Sequence, residues 1–287
     1  MTHILAINGS PRREMGRSHQ MLTEILAGAA AAGAETEILH LIDENPEYCI
    51  HCGHSCFADG DCIQEVEATL RSQRVEGADA LIICAPVYCW QPSGLTVAFF
   101  DKLRLLTGAW NRGTEHGRPA LGIAVAGGTG TGVFTALQSI YAWMCLWKFR
   151  PLDPLPITRF NMDRVLAEAA SLGQALAEST PHPFEGTWDT LLTYDRLPYM
   201  GYGRVDEFRW LAEQIVGGLE ARAAAAGGPR EGQLDAIQRD LDGEQTDATL
   251  GEIKRLLYEA HVHASQGAKE SEAQKCVLAY RLGAKVW

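Results

Sequence analysis

His3-Ile4-Leu5-Ala6-Ile7-Asn8-Gly9-Ser10-Pro11-Arg12-Arg13-Glu14-Met15-Gly16-Arg17-Ser18, continued by His19 to Gly33, is the stretch whose reading decides the fold. Its first six residues form a short apolar run that reads as a buried strand. Gly9 to Ser18 is a Gly/Ser/Pro turn carrying arginines. From His19 the apolar residues Met21, Leu22, Ile25 and Leu26 recur at helical spacing, and the segment ends in alanines and Gly33. A strand–loop–helix unit of this kind turns backbone N–H groups and the positive end of a helix toward a phosphate. The hydroxyls of Ser10 and Ser18 and the guanidinium of Arg12 add charge-assisted donors. The segment therefore reads as the phosphate seat of a cofactor, with an ordinary βα turn as the alternative. Arg13 and Arg17 are weaker candidates, because surface arginines are commonly just solvated.

Working outward, Glu35–Leu41 reads as a second strand and Pro46–Cys62 as a cysteine-rich loop. A helix follows from about Gln64 to Glu76. Ala80-Leu81-Ile82-Ile83-Cys84-Ala85 is apolar throughout, without alternation, as in a parallel sheet covered on both faces. Pro86–Gly94 reads as the next loop, followed by a helix through Phe99, Phe100, Leu103 and Leu106. Pro119–Ala126 is a fourth buried strand, Gly127–Gly132 a second glycine-rich loop, and Val133–Trp147 a helix. A fifth strand is expected near Phe149–Ile157, and Val165–Ala177 closes the unit as a helix. Five β/α repeats with short connections give a doubly wound, five-stranded parallel sheet of flavodoxin type, order 2-1-3-4-5. In such sheets ligands sit beyond the carboxyl ends of the strands, where the loops at Gly9, Pro86 and Gly127 fall together.

From Pro181 the character changes to an aromatic, turn-rich linker containing Trp188, Tyr194, Tyr199 and Tyr202. Helical stretches follow near Asp206–Arg222, Gly232–Leu241, Leu250–His263 and Glu270–Leu282, with a break at Ala223–Gly228. The expected organisation is thus a domain over 1–180 with a cysteine-rich insertion at 46–63, and an aromatic linker with a helical extension over 181–287. The linker aromatics either reach a neighbouring copy or pin the tail to its own domain.

The chain has 287 residues, 46% of them hydrophobic and 21% charged, which fits a globular protein with a substantial core. A net charge of −11 argues against nucleic acid or an anionic membrane as the main partner. No apolar run reaches the length of a membrane span. Met1-Thr2-His3 leads straight into the first strand without a secretory leader, so a cytoplasmic location is expected. Eight cysteines in such a chain point to metal or redox chemistry more than to disulfides.

Four of them, Cys49, Cys52, Cys56 and Cys62, are spaced C-x2-C-x3-C-x5-C. Four thiolates this close on one loop can wrap Zn²⁺ or an iron–sulfur cluster, or stay reduced or redox-active. His51 and His54 would border such a centre. Cys84 and Cys145 sit in apolar runs and read as core residues, and Cys276 lies on a predicted helix with no obvious partner. His261 and His263 stand two apart on a helix and so do not share a face.

Several motifs together resemble the NADPH-dependent FMN reductase and flavodoxin-like superfamily, especially its iron–sulfur flavoprotein branch. These are Gly9-Ser10-Pro11-Arg12 with Ser18; Ala78-Asp79-Ala80-Leu81-Ile82-Ile83, Pro86-Val87-Tyr88 and Phe99-Phe100-Asp101-Lys102; and, less specifically, Gly127–Gly132. The resemblance covers about residues 3–180. It implies FMN, with Ser10, Arg12 and Ser18 on the phosphate, Pro86, Val87, Tyr88, Cys89 and Trp90 along the ring, and Gly127, Gly128 and Thr129 closing the other side. Tyr88, Cys89 and Trp90 are the only candidates for contact with reacting atoms. Cys89-Trp90-Gln91 departs from the family pattern, so Trp90 either covers the flavin or packs in the core. The cysteine loop resembles the family's compact cluster loop with one extra residue before Cys56, implying Cys49, Cys52, Cys56 and Cys62 as ligands of a [4Fe-4S] cluster.

The function implied is an FMN-dependent oxidoreductase whose cluster relays electrons to or from the flavin. NAD(P)H or a small ferredoxin-like protein would be the donor, and a small redox molecule the substrate. A homodimer or homotetramer is expected by the same resemblance. The alternatives are a cluster-free NAD(P)H:quinone or FMN reductase, a non-catalytic electron carrier, and a zinc-stabilised binding module.

Overall fold

A computed structural model of the chain describes residues 2–53, 56, 61–103, 116–226 and 233–287, without the side chains of 225–246. The chain divides into two compact units. The first comprises 1–127, 132–157 and 163–201; the second comprises 128–131, 158–162 and 202–287.

The first unit is built on parallel strands β1 (His3–Asn8), β2 (Glu35–His40), β3 (Ala80–Tyr88) and β5 (Pro119–Ala126). β1 lies between β2 and β3, with Asn8 level with both His40 and Cys84. β3 pairs in turn with β5, Pro86 level with Val125. Every residue of β3 from Ala80 to Pro86 is buried, which explains the unbroken apolar run. Helices cover the sheet: α1 (Arg17–Ala31), the short α2 (Leu41–Glu44), α3 (Val66–Gly77), α4 (Gly94–Lys102), α5 (Val133–Leu146) and α6 (Met162–Glu178). A Cβ on Gly28 would stand 1.9 Å from the Ala170 carbonyl oxygen, and one on Gly173 would stand 1.7 Å from that of Ile25. The two glycines, both in the first unit, thus let α1 and α6 touch backbone to backbone. Phe100, with its ring 5.5 Å from Trp143 and 5.6 Å from Trp147, fills the opposite layer. Burying such side chains contributes roughly 1.5–3 kcal/mol each.

The order β2-β1-β3-β5-β6 is the expected flavodoxin-like order, but the sheet has seven strands. The single fifth strand expected over Phe149–Ile157 is instead two short ones, β6 (Arg150–Pro151) and β7 (Leu155–Thr158), both on β5. Pro151, Pro154 and Pro156 have no N–H for a ladder, so the pairing cannot run through. The loop expected at Pro86–Gly94 is in fact the end of β3 and a two-residue antiparallel strand, β4 (Gln91–Pro92), joined as a hairpin. The expected second strand ends at His40, with Leu41 starting α2. The linker is not irregular either, since α7 (Thr187–Asp195) lies within it. Leu106, expected on the helix after Gly94, lies outside the described residues, as do His54 and Gly227–Gly228.

The second unit holds α8 (Arg204–Ala226), α9 (Gln233–Ser265) and α10 (Lys269–Val286). Phe160, Leu211, Ile215, Leu219, Ile253 and Tyr280 are among its buried core residues. α8 runs through Ala223–Ala226, where a break was expected. α9 is one helix of 33 residues where two were expected, and no proline interrupts 242–249. Among the described residues no helix is long and apolar enough to cross a membrane.

Candidate functional site

The β1–α1 connection closes tightly on itself. Gly9 N–H donates to the Cys84 carbonyl at 2.9 Å, and the Ser93 hydroxyl donates to the Gly9 carbonyl at 2.7 Å. Ser93 also caps α4, accepting from Thr96 N–H, and its hydroxyl lies 2.9 Å from that of Thr96. A Cβ on Gly9 would stand 2.0 Å from Thr96 Oγ1, and one on Gly16 would stand 2.9 Å from Ser10 Oγ. Only glycine fits at position 9, and at position 16 a side chain would push the Ser10 hydroxyl aside.

Ser10 and Ser18 are each 3% exposed, while Arg12 is exposed. Gly16, the residue before α1, offers no side-chain cap, so the first-turn N–H groups of α1 point out beside the buried Ser18 hydroxyl. Buried hydroxyls beside an uncapped helix start suit a phosphate monoester. Arg13 forms an ion pair with Asp43, and Arg17 donates to Gln20 at 2.7 Å. Both weaker arginine candidates are therefore engaged elsewhere.

Because the registers align Asn8 with Cys84 and Cys84 with Ile123, the chain leaves the parallel strands β1, β3 and β5 at one sheet edge. Gly9, Val87 and Gly127 come together there. Pro86 is buried, Val87 half-buried, and Tyr88, Cys89 and Trp90 exposed. Trp90 is 42% exposed, which excludes the core-packed alternative. Cys89 (φ 48°) and Trp90 (φ 68°) form the hairpin turn, and both stand in the left-handed region without being glycine. Each such residue costs about 1–2 kcal/mol, and strain of this kind gathers at functional sites.

Gly127 ends the first unit's strand with open space around a would-be Cβ. Gly128 and Thr129 belong to the second unit, where the Thr129 carbonyl accepts from the Tyr280 hydroxyl at 2.8 Å and Thr129 Oγ1 lies 2.8 Å from Thr131 Oγ1. Among the linker aromatics, Tyr194 donates to the Phe149 carbonyl at 2.7 Å and Tyr199 stacks on Phe134, both within their own unit. Trp188 and Tyr202 are exposed.

The cysteine loop has a different character. Cys49, Cys52, Cys56 and Cys62 are free thiols, and among the described residues no three His, Cys, Asp or Glu side chains converge as a bound metal requires. The donor chemistry suits a cluster, with four soft ligands on one loop. Cys62 is anchored through its N–H to Thr69 Oγ1 at 3.2 Å, and the buried ammonium of Lys102 lies 3.8 Å from its sulfur. Lys102 also donates to Gln64 Oε1 at 3.2 Å and lies 3.5 Å from Glu65, which pairs with the fully buried Arg71. A cleft of about 330 Å³ lined by Asn45, Pro46, Glu47, Tyr48, Ile50 and Gln64 opens beside the loop. Cys84 and Cys145 are inert: burial pushes the Cys84 thiol up to about 12 and the Cys145 thiol up to about 11. Cys276 does have a partner, the Arg209 guanidinium.

A family model for NADPH-dependent FMN reductase matches residues 2–151, the segment that carries the β1–α1 turn and the hairpin. The chain belongs to the NADPH-dependent FMN reductase family. Among its relatives is an iron-sulfur flavoprotein of Archaeoglobus fulgidus, 32% identical over 99 residues, or 34% of this chain and 44% of the relative. Another is an iron-sulfur flavoprotein of Methanocaldococcus jannaschii, 33% identical over 131 residues, or 45% of this chain and 66% of the relative. The chain thus spans less than two thirds of either relative's length. A solved structure from Klebsiella pneumoniae, described as a candidate quinone reductase, superposes with a TM-score of 0.52 at 17% identity, over 65% of this chain and 89% of that one. That likeness shows the shared flavodoxin-like fold.

Sequence reasoning missed Asn8, Ser93 and Thr96, which brace the Gly9–Ser10 turn. The signal was present in part, since Asn8 is the one polar residue closing an apolar strand, and a polar side chain in that position must find partners.

Proposed function

We propose that this chain is an FMN-dependent oxidoreductase that takes electrons from NAD(P)H or a ferredoxin-like protein and passes them to a small redox molecule. The observation that carries the reading is the pair of buried hydroxyls, Ser10 and Ser18, at the uncapped start of α1, beside a strained, exposed hairpin at the same sheet edge. Bound there, FMN would supply the one- and two-electron chemistry. The chain's own groups would do the rest. Ser10, Ser18 and Arg12 donate to the phosphate, the Pro86–Trp90 segment lines the ring, and Tyr88 and Trp90 limit water at its face. Gly127, which follows β5 in the same unit, is proposed for the far side of the ring.

Within this reading, Cys49, Cys52, Cys56 and Cys62 would hold a [4Fe-4S] cluster that exchanges single electrons. The family relatives named iron-sulfur flavoproteins support this, as does the buried Lys102 beside Cys62. The cluster-free NAD(P)H:quinone or FMN reductase is the second reading, supported by the match to the NADPH-dependent FMN reductase family over residues 2–151. A homodimer or homotetramer is supported by the exposed Tyr48, Ile50, Ile63, Val66 and Leu70 around the cysteine loop.

Anaerobic purification with flavin, iron and acid-labile sulfide analysis tests both readings. Flavin with iron and sulfide supports the relay, and flavin without iron supports the second reading. Protein that is colourless and binds no added FMN overturns both.

A further inference from the structure

At the carboxyl end of β1 runs a hydrogen-bond chain that the phosphate seat alone does not require. Ser10 N–H donates to Asn8 Oδ1 at 3.0 Å, which fixes the orientation of the carboxamide. Its other end, Nδ2, lies 3.1 Å from His40 Nδ1. An amide nitrogen can only donate, so His40 Nδ1 accepts, and the ring proton sits on Nε2. Asn8 is fully buried and the His40 side chain is 14% exposed. The β1–β2 register sets the two residues level.

The other groups facing His40 come from three elements. From the 3-10 turn Arg13–Met15, Glu14 Oε1 lies 3.9 Å from His40 Nε2. From α1, the His19 ring stacks on His40 at 5.3 Å, its Nδ1 buried without a hydrogen-bond partner. From α2, Asp43 holds Arg13 of the same turn.

We propose that Asn8 and His40 are positioning residues for the phosphate loop, and that a proton on His40 Nδ1 loosens the loop's hold on FMN. The inference rests on the FMN reading above. A proton on Nδ1 turns the acceptor into a donor facing the donor Nδ2. Asn8 then loses that bond, or rotates and aims Nδ2 at the Ser10 N–H. In either case the Ser10 turn loses a fixed partner. Glu14 would draw the resulting imidazolium toward the 3-10 turn, away from Asn8. His19 does not compete for this role, because burial and then the neighbouring His40 hold its pKa below the ordinary value, so it stays neutral further into acid.

The test is the FMN dissociation constant of the full chain, read by flavin fluorescence between about pH 5 and pH 8, the window in which imidazole changes charge. Wild type, His40→Leu and Asn8→Asp are compared, with thermal melts to show that each is folded. FMN's own phosphate gains a proton near about pH 6 and weakens all three alike, so ratios to wild type are read. His40→Leu should bind about tenfold more weakly than wild type at the alkaline end and equally at the acid end, the ratio a lost hydrogen bond of ordinary strength gives. Asn8→Asp can accept from both Ser10 N–H and a protonated His40, so it should bind more tightly than wild type at the acid end. If His40→Leu does not fold, Asn8→Asp carries the test. Ratios that do not change with pH overturn the inference while leaving the FMN reading standing. Wild type that binds no FMN at any pH overturns both.

Discussion

A Cβ placed on Gly132 would stand 2.5 Å from the Cα of Trp90 and 2.8 Å from its Cβ. The start of α5 is thus pressed against the tip of the β3–β4 hairpin, and φ of +89° at Gly132 adds a second reason for glycine there. Gly132→Ala should push the hairpin outward and cost about 1–3 kcal/mol of stability. Urea unfolding and an FMN titration check this together. Wild-type values for both would show that the hairpin yields freely.

The turn residues Cys89 and Trp90 both occupy the left-handed region. Asparagine tolerates that region better than cysteine, so Cys89→Asn should raise stability by about 0.5–1 kcal/mol. NAD(P)H oxidation with a dye acceptor is the companion measurement. Unchanged turnover assigns Cys89 a structural role, whereas a fall of tenfold or more assigns its thiol to the chemistry.

Glu65 stands between two buried cations, Arg71 and Lys102. Glu65→Gln removes the carboxylate the two cations share, leaving Arg71 only its longer pair with Glu44 at 3.7 Å, and should destabilise the first unit by about 3–5 kcal/mol. The double variant Glu65→Gln with Lys102→Met removes one of the stranded charges and should recover part of the loss. A double variant no more stable than the single one would show that Lys102 finds solvent by itself.

Burial raises the Cys84 thiol from an ordinary 9.0 to about 12. A thiol raised in this way favours folding while it remains protonated, so its contribution is complete below about pH 9 and is lost as pH rises toward about 12. Three units correspond to about 4 kcal/mol. Wild type should therefore lose stability across that alkaline window more steeply than Cys84→Ala, even though the variant starts lower because of its cavity. Parallel curves would place ionised Cys84 in contact with water. At neutral pH the native chain should take up no alkylating reagent at Cys84, as peptide mass mapping would show.

The doubly wound sheet was legible because its strands carry their burial in plain view, as in Ala80–Ala85, and because glycine loops follow them. That the loops after β1, β3 and β5 share one sheet edge was legible for the same reason. What escaped was set by tertiary partners. Pro151, Pro154 and Pro156 signal trouble for a strand, but only the sheet shows that the chain pairs twice around them. Thr187–Asp195 reads as linker because its aromatics obscure the helical spacing, and Tyr194 becomes informative only when its hydroxyl meets Phe149. Asn8 and His40 are 32 residues apart and meet through strand register, which no local pattern encodes. The spacing of the four loop cysteines suggests a metal centre, but spacing does not fix where their sulfurs point.

The contact between α1 and α6 carries a consequence for sequence drift. With Gly173 lying against the backbone of Ile25, a residue bearing even one methyl group would have to slide α1 along its axis. The far end of that rod is the place proposed above for the nucleotide's tail. Selection on cofactor retention therefore extends to an interior glycine with no ligand anywhere near it, and variants at position 173 should be purged as flavin-binding defects.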